Sequence, residues 1–291
     1  MNNNIRVLVT GCNGQLGKEL QIQFKETMPS LNVIYTDIDT LDITDCSAVE
    51  RVVIDNEITH IINCAAYTDV DKAEEEKALS AAINSNAVSN LAHVAFANDA
   101  KILHISTDYV FDGTAHLPYN EADKVNPKNQ YGVTKRLGET QLIGHCPECI
   151  IIRTSWLYSP FGKNFVKTMF RLAATKSEVN VVSDQIGSPT YASDLAKVII
   201  KFVTARQWAS GIYHYSNEGV CSWYDFAKAI FRIAGIHTKI NPIPTRDYPT
   251  VASRPAYSVL DKSKIKATLG ITIPHWEDSL IECIERLKQM S

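Results

Sequence analysis

Seven residues lying between an apolar run and an amphipathic one constrain this chain more than any other feature. Gly11-Cys12-Asn13-Gly14-Gln15-Leu16-Gly17 follows directly on the β-branched segment Ile5 to Thr10. It opens the stretch Gln15 to Lys25, whose apolar residues recur at spacings of three and four. A buried strand that turns through glycines into a helix is the start of a βαβ unit. The turn has chemical consequences as well. Glycines permit unusual backbone angles and close approach, and the free N–H groups at a helix start attract a diphosphate. Gly11, Asn13, Gly14, Gln15, Leu16 and Gly17 are therefore the expected contacts of a dinucleotide pyrophosphate. Tight turns use glycine for other reasons too, so the motif gains its weight from its position.

The rest of the first half continues the alternation. Val33 to Thr36, His60 to Cys64, Ile102 to Ser106 and Ile150 to Thr154 are nearly unbroken apolar runs, as expected of parallel strands covered on both faces. Cys46 to Asn56, Leu79 to Asn98 and Tyr131 to Ile143 have helical spacing, with Thr44 as the expected N-cap of the first. After Trp156 the pattern loosens into Pro- and Gly-rich segments around Ser159 to Gly162, Gly187 to Pro189 and Asn241 to Pro255. A helix at Ser193 to Arg206 and a strand at Gly211 to Tyr215 still read as a return to the main sheet. Ser222 to Ala234 is a Ser-capped helix, and Glu277 to Gln289 is the last one. The expected fold is α/β, a Rossmann-type doubly wound parallel sheet with a smaller, discontinuous C-terminal substrate lobe. Residues 1–156, with 190–216 returning, form the dinucleotide-binding core; 157–189 and 217–291 form the lobe.

Bulk properties exclude other classes. The 291 residues carry a formal net charge of only -3, and the longest charged run, Asp71 to Lys77, is mainly acidic, which argues against nucleic acid and reads as a solvated helix face. Met1 to Asn4 has no basic leader, and no run approaches the roughly 20 apolar residues of a membrane span; the expected location is cytoplasmic. The seven cysteines are scattered and odd in number, which points to reduced, buried thiols. Cys146 and Cys149, after His145, could nominate a metal or redox site. With no second pair at zinc-ribbon spacing, a helix-to-strand junction is the favoured reading.

Asp37 ends the second strand twenty residues after Gly17, where a carboxylate would accept hydrogen bonds from adenosine ribose hydroxyls. It would repel a 2'-phosphate, and neither Ile38 nor Asp39 offers a compensating cation, so NADH should serve at least as well as NADPH. Asp37 could instead be a plain turn residue. Asp42, Ile43, Ala65, Ala66, Tyr67, Asn84 and Ile105 are further expected cofactor contacts.

Tyr131 and Lys135 stand four apart at a helix start, on one face. A free tyrosine has a pKa of about 10, and a neighbouring ammonium favours the phenolate, so the lysine is expected to tune the tyrosine for proton transfer. Ser106-Thr107-Asp108-Tyr109 follows the fourth strand at the edge where ligands of open α/β sheets bind. A hydroxyl there could steady a reacting carbonyl oxygen. Position alone leaves Ser106 and Thr107 both open.

Taken together, these motifs resemble the dTDP-4-dehydrorhamnose reductase family, in the extended branch of the short-chain dehydrogenase/reductases. The resemblance runs from Arg6 nearly to the C-terminus. It covers Gly11 to Gly17, Asn63 to Glu74, Ser106 to Phe111, Tyr131 to Lys135, Arg153 to Tyr158, Asn164 to Val166, Asp184 to Thr190, and Arg254-Pro255 through Ser258 and Leu260. It places the catalytic hydroxyl on Thr107, twenty-four residues before Tyr131. It implies hydride transfer from NADH or NADPH to the C4 ketone of a dTDP-4-dehydro sugar, with Thr107, Tyr131 and Lys135 catalytic. Thr107, Asp108, Tyr109, Trp156 and Arg254 would hold the small-molecule substrate, with Lys163 a second candidate for its diphosphate. Trp156 would pack on the sugar, although a lone tryptophan is often simply core. Some relatives dimerise around a divalent metal held by glutamates; Glu19 matches one position, but Ser193 stands where another carboxylate is expected. A monomer or a weak homodimer without a metal site is the expectation. Two rivals remain: a related nucleotide-deoxysugar reductase or epimerase, and a non-catalytic dinucleotide-binding regulatory subunit resembling that of methionine adenosyltransferase.

Overall fold

The computed structural model describes residues 5–290; Met1 to Asn4, read above for a leader, lie outside the described residues. The chain runs β1 (Arg6–Thr10), α1 (Gln15–Thr27), β2 (Asn32–Thr36), α2 (Cys46–Asp55) and β3 (His60–Asn63). Two short helices, α3 (Lys72–Glu75) and α4 (Lys77–Ala81), pass through a π-turn (Ala82–Asn86) into α5 (Ala87–Ala97). Then follow β4 (Lys101–Thr107), a 3-10 turn (Asp108–Val110), α6 (Gln130–His145) and β5 (Ile150–Thr154). The remainder comprises β6 (Leu157–Tyr158), α7 (Phe165–Ala173), β7 (Glu178–Val182), β8 (Ile186–Gly187), β9 (Thr190–Tyr191), α8 (Ala192–Thr204) and β10 (Gly211–Tyr215). It closes with β11 (Cys221–Ser222), α9 (Trp223–Ala234), β12 (Lys239–Ile243), a 3-10 turn (Thr245–Asp247), α10 (Ser263–Leu269) and α11 (Trp276–Met290).

Six strands form one sheet in the order β10-β5-β4-β3-β1-β2, every pair parallel. Val7 pairs with both Val33 and His60, so β1 is central and buried on both faces. That burial explains why the strand reads as an unbroken apolar run. One face packs on α1 and α8 through Leu16, Leu20, Phe24, Leu195, Ile199 and Phe202. The other packs on α2, α5 and α6 through Val49, Val53, Leu91, Ala95 and Leu142. The chain goes from β1 to β2 in one direction and from β2 back past β1 to β3 in the other. The carboxyl ends of β1 and β3 are therefore the crevice where an α/β sheet binds ligand.

A third apolar cluster lies apart from the sheet. It joins α7, α9 and α11 to β7, β9 and β12 through Val166, Met169, Phe226, Ile230, Trp276 and Leu280. Within it β7 and β12 pair in parallel, Val181 opposite Pro242. Sequence reading placed only loop around Asn241. Proline has no N–H for a ladder, but a two-stranded ribbon has outer edges that need none.

Local differences from expectation have simple causes. The N-cap of α2 is Asp45, which accepts from the Ala48 N–H at 3.0 Å, and not Thr44. Thr44 is taken by Asp42, whose carboxylate accepts both its N–H and its hydroxyl. The expected helix Leu79 to Asn98 begins earlier, with α4 at Lys77, and is interrupted by the π-turn. The acidic run is more than a solvated face, because Asp71 accepts from Ala252 N and Arg254, and Glu74 accepts from Gln130 N. Ser222 caps α9 in a reciprocal box with Asp225. Cys146 and Cys149 form a buried helix-to-strand junction, with the Cys149 N–H donating to the Cys146 carbonyl. Burial pushes the Cys149 thiol up to about 12, the opposite of what a metal-ligating thiolate needs. No helix among the described residues is long and apolar enough to cross a membrane.

Candidate active site

A cavity of about 860 Å³ opens at the switch point. Its floor is the glycine turn. Gly11 has φ +67°, and a Cβ there would lie 2.6 Å from the Ala65 nitrogen, so only glycine lets the ends of β1 and β3 meet this closely. Gly11, Gly14, Gln15, Leu16, Gly17, Asp37, Asp42, Ile43, Ala65, Ala66 and Ile105 line the wall, as do Thr107, Asp108, Tyr109, Tyr131, Lys135, Trp156 and Lys163. A pocket walled by glycines and free N–H groups at the helix start suits a dinucleotide.

Four predicted residues lie elsewhere. Asn13 gives its backbone N–H to Asp37 Oδ2 at 2.8 Å and is exposed. Asn84 is fully buried, and its amide clasps the Tyr67 backbone from both sides while also reaching Thr134; it shapes the wall from behind. The Tyr67 hydroxyl donates to Glu76. Arg254 pairs with Asp71 at 2.7 Å, while its Nη1 is buried with no hydrogen-bond partner among the described residues. A guanidinium held by one carboxylate, with a donor to spare, remains able to receive a phosphate oxygen.

The catalytic candidates converge. Asn129 caps α6 by accepting from Gly132 N at 2.8 Å, which sets Tyr131 in the first turn and Lys135 one turn on. Tyr131 meets Tyr109 edge to face, ring centroids 5.6 Å apart. Burial pushes the Tyr131 phenol up to about 12, against a lowering by the Thr107 hydrogen bond. The Thr107 hydroxyl donates to Asp108 Oδ1 at 2.9 Å and accepts from Tyr109 N. The other Asp108 oxygen is buried with no hydrogen-bond partner among the described residues, and burial pushes this carboxyl up to about 7. Both Ser106 and Thr107 line the cavity, but the Ser106 hydroxyl donates to the buried Glu139 at 2.6 Å.

Lys135 is held from β4: its Nζ lies 2.6 Å from the Ile105 carbonyl and 3.1 Å from His104 Nε2. Burial lowers Lys135 to about 8. The shared face expected from a spacing of four is present, but the lysine bonds across the sheet.

Trp156 takes φ +49°, rare for a bulky residue, and stacks on Trp223 with centroids 3.6 Å apart. Both indoles line the cavity. Trp223 was missed by sequence reading because it opens a capped helix and looks like a packing residue. Gln15 ties the glycine turn to the start of α7, its Oε1 accepting from Asn164 Nδ2 at 2.8 Å.

The carboxylate that could have held a metal is already neutralised. Both oxygens of buried Glu19 accept from Arg286 Nη1 at 3.0 Å, and Ser193 accepts from Gln23. A guanidinium occupies the place a cation would take, so these residues do not fit a bridging metal.

Comparison with known proteins places this geometry in a family. Residues 5–289 match the model described as RmlD substrate binding domain. The chain belongs to this family of dTDP-4-dehydrorhamnose reductases. A dTDP-4-dehydrorhamnose reductase of Aggregatibacter actinomycetemcomitans is 42% identical over 94% of this chain and 97% of its own. The crystal structure of one from Clostridium acetobutylicum superposes with a TM-score of 0.94 at 45% identity, covering 98% of this chain and 100% of the other. One from Bacillus anthracis, in complex with NADP, has a TM-score of 0.92 at 40% identity over 99% and 100% of the two chains.

Proposed function

We propose that the chain reduces the C4 ketone of dTDP-4-dehydro-β-L-rhamnose to dTDP-β-L-rhamnose with a reduced nicotinamide dinucleotide. The observation that carries this reading is the meeting of Thr107, Tyr131 and the Trp156–Trp223 stack in one cavity that begins at the glycine turn. The family's members bearing that name supply the substrate. When bound, the dinucleotide supplies the hydride; Gly11 to Gly17 would hold its diphosphate, Asp37 and Asp42 its adenosine end and Lys135 its nicotinamide ribose. Thr107 orients the ketone oxygen, and Tyr131 holds the proton that the product hydroxyl requires. Arg254 and Lys163 would meet the nucleotide diphosphate, and Asp108 and Tyr109 the sugar hydroxyls. The division into a dinucleotide-binding core, 1–156 with 190–216, and a substrate lobe, 157–189 and 217–291, belongs to the same proposal. The test is loss of absorbance at 340 nm with freshly generated substrate, the product identified by NMR. Consumption yielding the rhamno product supports the reading; a talo product moves it to a C4-epimeric reductase, and binding without consumption moves it to a regulatory role.

The cofactor preference follows from Asp37, which lines the cavity and whose carboxylate accepts from Asn13 N and Ile38 N. Asp37→Ser should raise the NADPH-to-NADH ratio of kcat/KM by roughly fivefold, about the 1 kcal/mol of two charges some 4 Å apart in water. An unchanged ratio would remove Asp37 from the ribose site.

The sugar pocket has its own probe. A Cβ on Gly187 would sit 2.6 Å from the Trp156 ring. Gly187→Ala should displace the indole at a cost of about 1 kcal/mol or more, raising the KM for nucleotide sugar at least fivefold while leaving the cofactor Kd unchanged. Equal losses in both constants would show a general collapse of the site instead.

A further inference from the structure

A buried chain of polar groups runs behind the cavity, and the direction of its hydrogen bonds can be read from one end. Ala65 N–H, a donor of fixed identity, points at Asn63 Oδ1 at 3.1 Å, and the Thr10 hydroxyl donates to the same oxygen at 2.7 Å. The Asn63 carbonyl therefore faces these two donors, and its NH₂ faces His104 Nδ1 at 3.0 Å. That amide can only donate, so Nδ1 of the imidazole accepts. Neutral His104 must then carry its proton on Nε2, which lies 3.1 Å from Lys135 Nζ. An ammonium has no lone pair to receive that N–H, whereas a neutral amine accepts it and still donates to the Ile105 carbonyl at 2.6 Å. Thr10, Asn63, His104 and Lys135 are all at most 2% exposed, so water does not relieve a donor facing a donor.

We propose that Asn63 locks His104 in its Nε2–H tautomer, so that His104 holds Lys135 as a neutral amine until cofactor loading, which carries a proton onto Lys135. The proposal rests on the reading of this cavity as a dinucleotide site. A ribose hydroxyl in the cavity offers Lys135 an acceptor that favours the ammonium and draws it from His104. The proton comes from solvent. The other ionisable groups around Lys135 do not provide it: Glu139, on the same helix, is bound by Arg153, Arg136 and Ser106, Cys64 beyond β3 is a thiol that burial pushes up to about 12, and Tyr131 is likewise pushed up to about 12. His104 stays neutral throughout: burial holds it well below its ordinary value, and the Lys135 charge lowers it further once the lysine is protonated. The fall of Lys135 to about 8 places the exchange in an accessible range.

Isothermal titration calorimetry of NADH binding at pH 8, repeated in buffers of different ionisation enthalpy, counts the protons taken up. NADH avoids the 2'-phosphate, which titrates by itself. With Lys135 lowered to about 8, wild type is expected to take up about half a proton per site, the neutral fraction at that pH. In Asn63→Asp the carboxylate accepts from Nδ1–H, Nε2 becomes the acceptor, Lys135 is charged before loading, and uptake falls toward zero. Should that variant not fold, His104→Gln offers Lys135 a carbonyl and predicts the same loss. Binding with no buffer dependence in wild type overturns the proposal, as does undiminished uptake in a folded variant. Absence of any binding heat removes the dinucleotide reading, and this proposal with it.

Discussion

Tyr131→Phe is expected to lower turnover by about 10²–10⁴-fold, the usual contribution of a positioned general acid, while the dinucleotide binds with nearly unchanged affinity. The phenol is pushed up to about 12 by burial, so it keeps its proton at neutral pH. That proton leaves only when negative charge develops on the ketone oxygen, as a positioned general acid requires. Phenylalanine preserves the edge-to-face contact with Tyr109 and removes only the hydroxyl. Steady-state kcat with the nucleotide ketosugar, set beside NADH affinity from fluorescence, separates the two effects. Turnover that persists unchanged would show that another group, with Asp108 the first candidate, delivers the proton.

The largest loss of stability should come from Glu139→Ala. Glu139 is fully buried on α6 and receives Arg153 through both Nε and Nη2 at 2.8 Å, Ser106 at 2.6 Å and Arg136 at 2.9 Å. Arg153, on β5, is itself only 1% exposed, so removing the carboxylate strands a guanidinium in the core. Such a break costs about 3–5 kcal/mol. Burial pushes the Glu139 carboxyl up, but its bonds to Arg153, Ser106 and Arg136 outweigh burial and hold it below its ordinary 4.5. The sign follows from linkage: the folded state binds fewer protons near that value, so the contribution is complete above about pH 4.5 and is lost as the pH falls through the lowered pKa. Urea unfolding at pH 7 should show the full gap between wild type and variant, and the gap should narrow in acid. An equal gap at both pH values would assign the loss to packing alone.

The same pair illustrates why part of the site is unreadable in sequence. Glu139 and Arg153 are fourteen residues apart, and either would pass for a surface charge on a helix or at a strand end. Only the packing of α6 against β4 and β5 makes them a buried pair that also takes up the Ser106 hydroxyl. Asn84 was placed among the cofactor contacts by its neighbourhood in the chain, yet the π-turn points its amide at the Tyr67 backbone. Trp223 and His104 gave no signal, the first because a tryptophan opening an apolar helix face looks like core, the second because a histidine inside an apolar strand looks like a satisfied interior group.

What the sequence determined by itself was whatever depends on neighbours along the chain. The apolar runs of β1, β3, β4 and β5, the glycine turn between β1 and α1, the Ser222 cap and the four-residue spacing of Tyr131 and Lys135 are local patterns, set by helix and strand periodicity and by the conformations glycine allows. Tertiary structure decided what depends on partners brought from afar: the Ser106 hydroxyl turned to Glu139, Lys135 bonded to His104, Trp156 laid on Trp223, and Glu19 closed by Arg286. The physical reason is that burial turns a hydrogen bond or an ion pair from optional into obligatory. Which group becomes buried beside which is known only once the sheet and lobe have packed.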